Sequence, residues 1–268
     1  MTTYMRRVRG LAFLALLTLA ALTGRAVAAA PNELQGSWEV TQVAVDTLDQ
    51  PHWGYEPDDP RVLGRILVLG ADGSIDFNLG REACARVEWR SEGQTMLSTL
   101  VAKTYSRPAR KDLKRSPSLE DFGLHLADRS VAPWRAVCPA AGSAKAPAIL
   151  WANAWFVRLD GQQLAVGYQS NLLLILTRAQ IAPPYRPSFA CTGALNVTEA
   201  AICNSLSLAG LDRSVHAAYQ RSLKRRAEEK SAVIEEQRQW IKARNQCGAD
   251  SGCIEDRMSE RIELLMQD

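Results

Sequence analysis

The chain of 268 residues carries 32 basic and 29 acidic residues, a formal net charge of +3. Arg6, Arg7, Arg9 and Arg25 fall within the first 30 residues, and without them the balance is 28 against 29, or −1. A chain this close to neutral has no overall field with which to hold a polyanion, which excludes nucleic-acid binding by charge and electrostatic attachment to an anionic membrane.

Residues 1–30 read as a secretory signal. The three early arginines precede an apolar run from Leu11 to Leu22, and Ala26-Val27-Ala28-Ala29-Ala30 supplies small residues ahead of Pro31. That order predicts type I cleavage after Ala28 or Ala30. Gly24-Arg25 ends the run before the roughly 20 apolar residues a membrane span needs, and no cysteine follows for lipid attachment. A periplasmic or secreted product, without stable membrane insertion after cleavage, is expected. Cys84, Cys138, Cys191, Cys203, Cys247 and Cys253 all lie beyond the signal, and an even number in an exported chain predicts disulfides. Their spacing lacks the paired C-x-x-C of a zinc site, so no metal and no cofactor is expected.

Residues 31–182 read as an all-β domain. Trp38, Val40, Val43 and Val45 form a first strand. Arg65–Leu69 and Ser74–Leu79 flank Gly70-Ala71-Asp72-Gly73, a hairpin signal. Further strands are expected at Ala85–Trp89, Thr95–Tyr105, Ile149–Leu159, Leu164–Tyr168 and Leu172–Thr177, the last two turns falling at Asp160-Gly161 and Ser170-Asn171. Arg107 to Lys114 and Ala140 to Ala146 read as loops. About eight short strands argue a barrel or sandwich, with Trp89, Trp151 and Trp155 available to fill its interior. The prolines of 183–187 form a linker between two independently folding units.

Residues 188–268 switch to a helical period and read as a small, disulfide-linked all-α bundle. Asn196-Val197-Thr198-Glu199 has the spacing of a capping box before a short helix. Leu208, Leu211, Val215, Tyr219 and Leu223 share one face of a long helix. Val233, Gln237, Trp240, Ile241 and Arg244 mark a second, and Ile254, Met258, Ile262 and Leu265 a third. Arg221 to Lys230 is the solvated turn between the long helices. Polar groups on such stripes need partners, and an Asp212–Arg244 ion pair with Gln237 nearby is expected. Cys84 and Cys138 have only each other in the β half. For the other four, a second helix returning antiparallel to the first favours Cys203–Cys247 with Cys191–Cys253, the longer loops constraining the unfolded chain more. The local pairing, Cys191–Cys203 with Cys247–Cys253, is the alternative.

No catalytic constellation emerges. His52, His125 and His216 sit in no recognisable motif, there is no G-x-S-x-G, H-E-x-x-H or P-loop, and the carboxylate pairs Asp58-Asp59 and Glu235-Glu236 are adjacent and diverge. No enzyme is expected.

Two resemblances stand out. Gly36-Ser37-Trp38 on the first strand with Leu176-Thr177-Arg178 on the last resembles the lipocalin-like pattern, which implies a barrel whose terminal strands pair while an arginine covers the tryptophan. The second is more specific. Phe189-Ala190-Cys191, Thr198-Glu199-Ala200-Ala201-Ile202-Cys203, Leu211-Asp212, Tyr219, Gln237-Arg238-Gln239-Trp240, Arg244-Asn245-Gln246-Cys247, Cys253-Ile254 and Arg261-Ile262 follow the order of the LprI-type lysozyme-inhibitor family. Many relatives have Asp immediately before the first cysteine, where this chain has Ala190. The resemblance implies a protein–protein interaction module, with lysozyme or another envelope protein as partner. Candidate contact residues are Glu199, Asp212, Gln237 and Arg244 on the stripes, together with an acidic cluster at Asp250, Glu255, Asp256, Glu260 and Glu263. The alternative is a periplasmic carrier holding a small apolar ligand or lipid in the β domain.

Overall fold

The structure, a computed structural model, describes residues 30–48, 54–77, 84, 87–105, 112–138, 154–168, 172–180 and 182–267. The expected signal up to residue 29, Trp151, the Ser170-Asn171 turn, Ala140–Ala146 and most of the Arg107–Lys114 stretch lie outside the described residues.

The β half contributes β1 (Gly36–Val45), β2 (Ile66–Leu69), β3 (Ile75–Phe77), β4 (Glu88–Ser91), β5 (Thr95–Met96), α1 (Leu97–Thr104), β6 (Ser130–Val131), β7 (Trp134–Val137), β8 (Trp155–Arg158), β9 (Gln163–Tyr168) and β10 (Leu172–Arg178). Eight strands form one antiparallel sheet in the order β3-β2-β1-β10-β9-β8-β7-β4, while β5 and β6 pair separately. The sheet curls into a half-barrel. First and last strands do pair, Trp38 opposite Arg178, but they lie in the middle of the sheet. Its edges, β3 and β4, are tied by other means. Cys84, bridged to Ile75 through both backbone hydrogen bonds, is disulfide-bonded to Cys138 just beyond β7, and the Trp89 indole of β4 donates to Gly73 O in the β2–β3 turn at 3.3 Å.

Alternation along the strands sorts side chains to two cores. Val40, Val43, Leu164, Val166, Leu172, Leu174, Leu176, Phe156 and Trp89 bury inside the curl. Ala44, Ala165, Leu173, Ile175, Trp155 and Val157 bury on the outer face. Trp155 therefore does not fill the interior as expected. It lies over Gly167, where a Cβ would sit 2.2 Å from its indole nitrogen.

The outer face explains one misread element. Thr95–Tyr105, expected as a strand, is strand only at Thr95–Met96 and continues as helix α1. Leu97, Leu100 and Val101 recur at three- and one-residue steps, with Tyr105 four further on, and this face covers the outer core. The short strands β6 and β7 were not anticipated. Neither shows an apolar alternation long enough to stand out, and β7 exists because β4 and β8 flank it.

The tryptophan at the start of β1 is enclosed. Its indole donates to Leu34 O at 2.8 Å, the Arg178 guanidinium lies 4.3 Å from the ring centre, and that guanidinium donates to Gln35 O at 2.7 Å. Gly36 has φ of +122°, and a Cβ there would come within 2.2 Å of Arg178 Nη1. The glycine two residues before the tryptophan is thus needed both for its backbone and for the room it leaves to the arginine.

The helical half comprises α2 (Val197–Asn204), α3 (Leu206–Arg225), α4 (Lys230–Arg244) and α5 (Ser251–Gln267), with a 3-10 turn at Ala227–Glu229 closing the α3–α4 hairpin. Asn196 and Glu199 form the expected capping box. Ile202, Leu208, Leu211, Val215, Ile254, Met258, Ile262 and Leu265 make its core, largely between α3 and α5. On α4 only Val233 and Arg244 are buried.

The expected linker at 183–187 joins halves that also touch. On α3, Arg213 pairs with Glu39 at 2.8 Å, Ser214 Oγ donates to Leu63 O, and Arg221 reaches Glu56 at 2.7 Å and the carbonyls of Pro57 and Asp58. Between these ion pairs the backbones meet: a Cβ on Gly210 would lie 2.2 Å from Gly64 O, and one on Gly64 2.8 Å from Gly210 O. Backbone against backbone leaves no side chain that could give way. Gly210→Val should therefore cost about 1–3 kcal/mol in denaturant unfolding and open residues 182–187 to limited proteolysis. Unchanged stability and protease resistance would mean that the contact does not hold the halves together.

A candidate interaction cleft in the helical half

Ser188 enters the helical half beside α3, and Asp212 is what holds it there. Asp212 Oδ2 accepts from the Ser188 backbone N–H at 2.8 Å and from its hydroxyl at 2.6 Å. The other carboxylate oxygen accepts from Arg244 Nη1 at 3.2 Å, the expected ion pair, with both residues 4 % exposed. Arg244 also donates to Asn245 Oδ1 through Nε and Nη2, and its guanidinium lies 5.3 Å from the centre of the Trp240 ring. Burial pulls the Arg244 pKa below its ordinary value, opposed by the charges of Asp212 and Glu199. An arginine remains charged through such a shift, so the pair is ionic.

Around this pair α2, α3, α4 and the incoming segment leave a cleft of about 230 Å³. Glu199, Asp212, Gln237 and Arg244, singled out from the sequence, all line it, together with Phe189, His216, Tyr219, Trp240 and Ile241. Trp240 is anchored by its indole N–H, which donates to Arg257 O on α5 at 3.1 Å, and Gln237 accepts from Arg261 Nε at 3.0 Å. Tyr219 and Trp240 pack against the helical core but stay partly open, serving core and cleft together. Phe189, Ser188 and His216 line the cleft without being among the candidate contact residues of the sequence. No periodicity marks the first two, since they precede the helices.

Of the acidic cluster, Asp250, Asp256, Glu260 and Glu263 are exposed and Glu255 alone turns inward. Glu255 is 6 % exposed and belongs to the buried side of α5. Asp250 accepts from the Cys253 N–H at 3.1 Å and so caps the start of that helix. Asp256, Glu260 and Glu263 remain exposed, away from the cleft.

The helical disulfides are the local pair, Cys191–Cys203 and Cys247–Cys253, with Cα separations of 5.8 and 5.6 Å. The crossed pairing favoured by loop entropy is therefore corrected. Entropy ranks the unfolded chains, whereas bonding requires Cα atoms within about 7 Å. The turn after Cys247, with Gly248 at φ of +59°, folds Cys253 straight back onto it. Across the ends of the bundle the link is a different one, Thr198 Oγ1 donating to Asn245 O at 3.1 Å. Among the described residues no group of three or more His, Cys, Asp or Glu could hold a metal ion, and no helix is long and apolar enough to cross a membrane.

Residues 191–265 match the model of the family described as lysozyme inhibitor LprI. The match lies in the C-terminal region, spans all four helical cysteines and stops short of the β half. Neither the curated proteins nor the solved structures contain a match to the chain.

Two outcomes follow from this geometry. Asp212→Ala strands a buried guanidinium and should cost about 3–5 kcal/mol, whereas the double change Asp212→Leu with Arg244→Met should cost clearly less. Equal losses in urea melts would show that the pair is not the reason. Non-reducing peptide mapping should recover Cys191 linked to Cys203 and Cys247 to Cys253, and a Cys203–Cys247 peptide would contradict the structure.

Proposed function

We propose that the protein is an exported, non-catalytic interaction module whose LprI domain binds and blocks a lysozyme in the periplasm or outside the cell. The observation that carries this reading is the family match across all four helical cysteines. The three disulfides support an oxidising compartment. The α2–α3–α4 cleft is the contact surface, because α3 turns its opposite side to the β half and α5 turns its apolar side to the core. The inside of the half-barrel is taken up by its own side chains, Trp38, Phe156 and Leu174 among them, each fully buried. That packing does not favour the carrier reading.

Export requires that cleavage leave the fold intact, and the two cleavage positions differ in this respect. Ala30 is 1 % exposed within the β core, and its carbonyl accepts from Gln35 Nε2 at 2.7 Å. Cleavage after Ala28 keeps it; cleavage after Ala30 removes it. The exported protein should therefore begin at Ala29 by intact mass, and a product beginning at Pro31 would contradict this.

In a cell-wall lysis assay, excess purified protein should suppress c-type or g-type lysozyme. Ile241→Arg, at a cleft residue already 36 % exposed, should relieve the suppression without lowering Tm. If both lysozymes keep full activity with excess wild-type protein, the inhibitor reading fails.

A further inference from the structure

We infer that the cleft receives one cationic side chain, a guanidinium or an ammonium, presented by the protein partner; this rests on the reading of the domain as an interaction module. The first argument is charge. Two carboxylates, Glu199 and Asp212, line the cleft against one guanidinium, Arg244. Asp212 and Arg244 are buried and spent on each other. Glu199 is the unbalanced charge. One of its oxygens accepts from the Asn196 N–H, and a carboxylate has about four acceptor sites to offer.

The second argument is the wall. Phe189, Tyr219 and Trp240 line the cleft and all three are partly open. Aromatic faces attract cations, and the cleft already contains such a contact, with the Arg244 guanidinium 5.3 Å from the Trp240 ring centre. An anion finds no comparable welcome. Arg244 is 4 % exposed and already donates through Nε, Nη1 and Nη2.

The third argument is size. At about 230 Å³ the cleft falls below the roughly 300–1,000 Å³ usual for small-molecule sites. It suits the end of one long side chain better than a lipid or a dinucleotide.

The test uses the full exported chain and separates this inference from lysozyme inhibition. N-acetyl-arginine amide, N-acetyl-lysine amide and, as a neutral control, N-acetyl-glutamine amide are titrated while the Trp240 indole N–H resonance is followed, assigned through Trp240→Phe. The two cationic amides should shift it in a saturable way and the neutral amide should not. Glu199→Gln should weaken binding about tenfold. Glutamine still serves as the third residue of a capping box, so this variant should keep the wild-type Tm. Saturating N-acetyl-arginine amide should also relieve any lysozyme inhibition. Equal shifts with the neutral amide, no shift with either cation, or full affinity in Glu199→Gln would overturn the inference. Cation binding without lysozyme inhibition would leave it standing and remove the lysozyme reading alone.

Discussion

The carboxylate of Asp212 joins three pieces of chain that otherwise have little reason to meet. It takes two hydrogen bonds from Ser188, where the chain enters the helical half, and one from Arg244 at the end of α4. A buried ion pair stabilises a fold only when its geometry and further hydrogen bonds offset the cost of removing both charges from water. Here Ser188 and Asn245 supply those bonds. Because α4 fully buries only Val233 and Arg244, with Trp240 packed on the core from a partly open position, its position depends also on polar attachments: the pair itself, Gln237 with Arg261, and the Trp240 indole with Arg257 O. The cleft lies between this helix, α2, α3 and the incoming segment.

The helix that carries Asp212 is committed on its other side as well. Gly210, Arg213, Ser214 and Arg221 face the β half, Asp212, Val215, His216 and Tyr219 the cleft. One helix thus joins the two halves and builds the proposed contact surface, so the β half fixes how that surface is presented. The docking contacts include a close backbone approach, hydrogen bonds and ion pairs, the polar character usual for contacts between domains of one chain.

The half-barrel rests on a comparable arrangement at Trp38. An indole enclosed by Arg178, with its N–H satisfied by Leu34 O, ties the N-terminal turn to the last strand. The outer face is not left to solvent, because α1 and the segment from Leu119 to Leu124 bury against it. This two-sided burial is why β10 reads as an unbroken apolar run, Leu172 to Leu176, rather than an alternating one.

Local signals determined much of this protein from sequence alone. The change from strands to helices, the Asp72-Gly73 hairpin, the capping box at Asn196 and the Trp38–Arg178 pairing each arise from residues whose chemistry admits few alternatives. Four of the cleft residues were legible because a polar group on an apolar stripe demands a partner. Tertiary structure decided what depends on the surroundings of a segment. Thr95–Tyr105 became a helix because an exposed sheet face needed covering, and β7 became a strand because its neighbours supplied hydrogen bonds. Glu255 left the acidic surface because α5 turns it inward. The cysteines paired locally because a bond forms where Cα atoms approach within reach, and one turn at Gly248 settles that where loop entropy cannot. Ser188 and Phe189 could enter the cleft only once Asp212 had a direction to point.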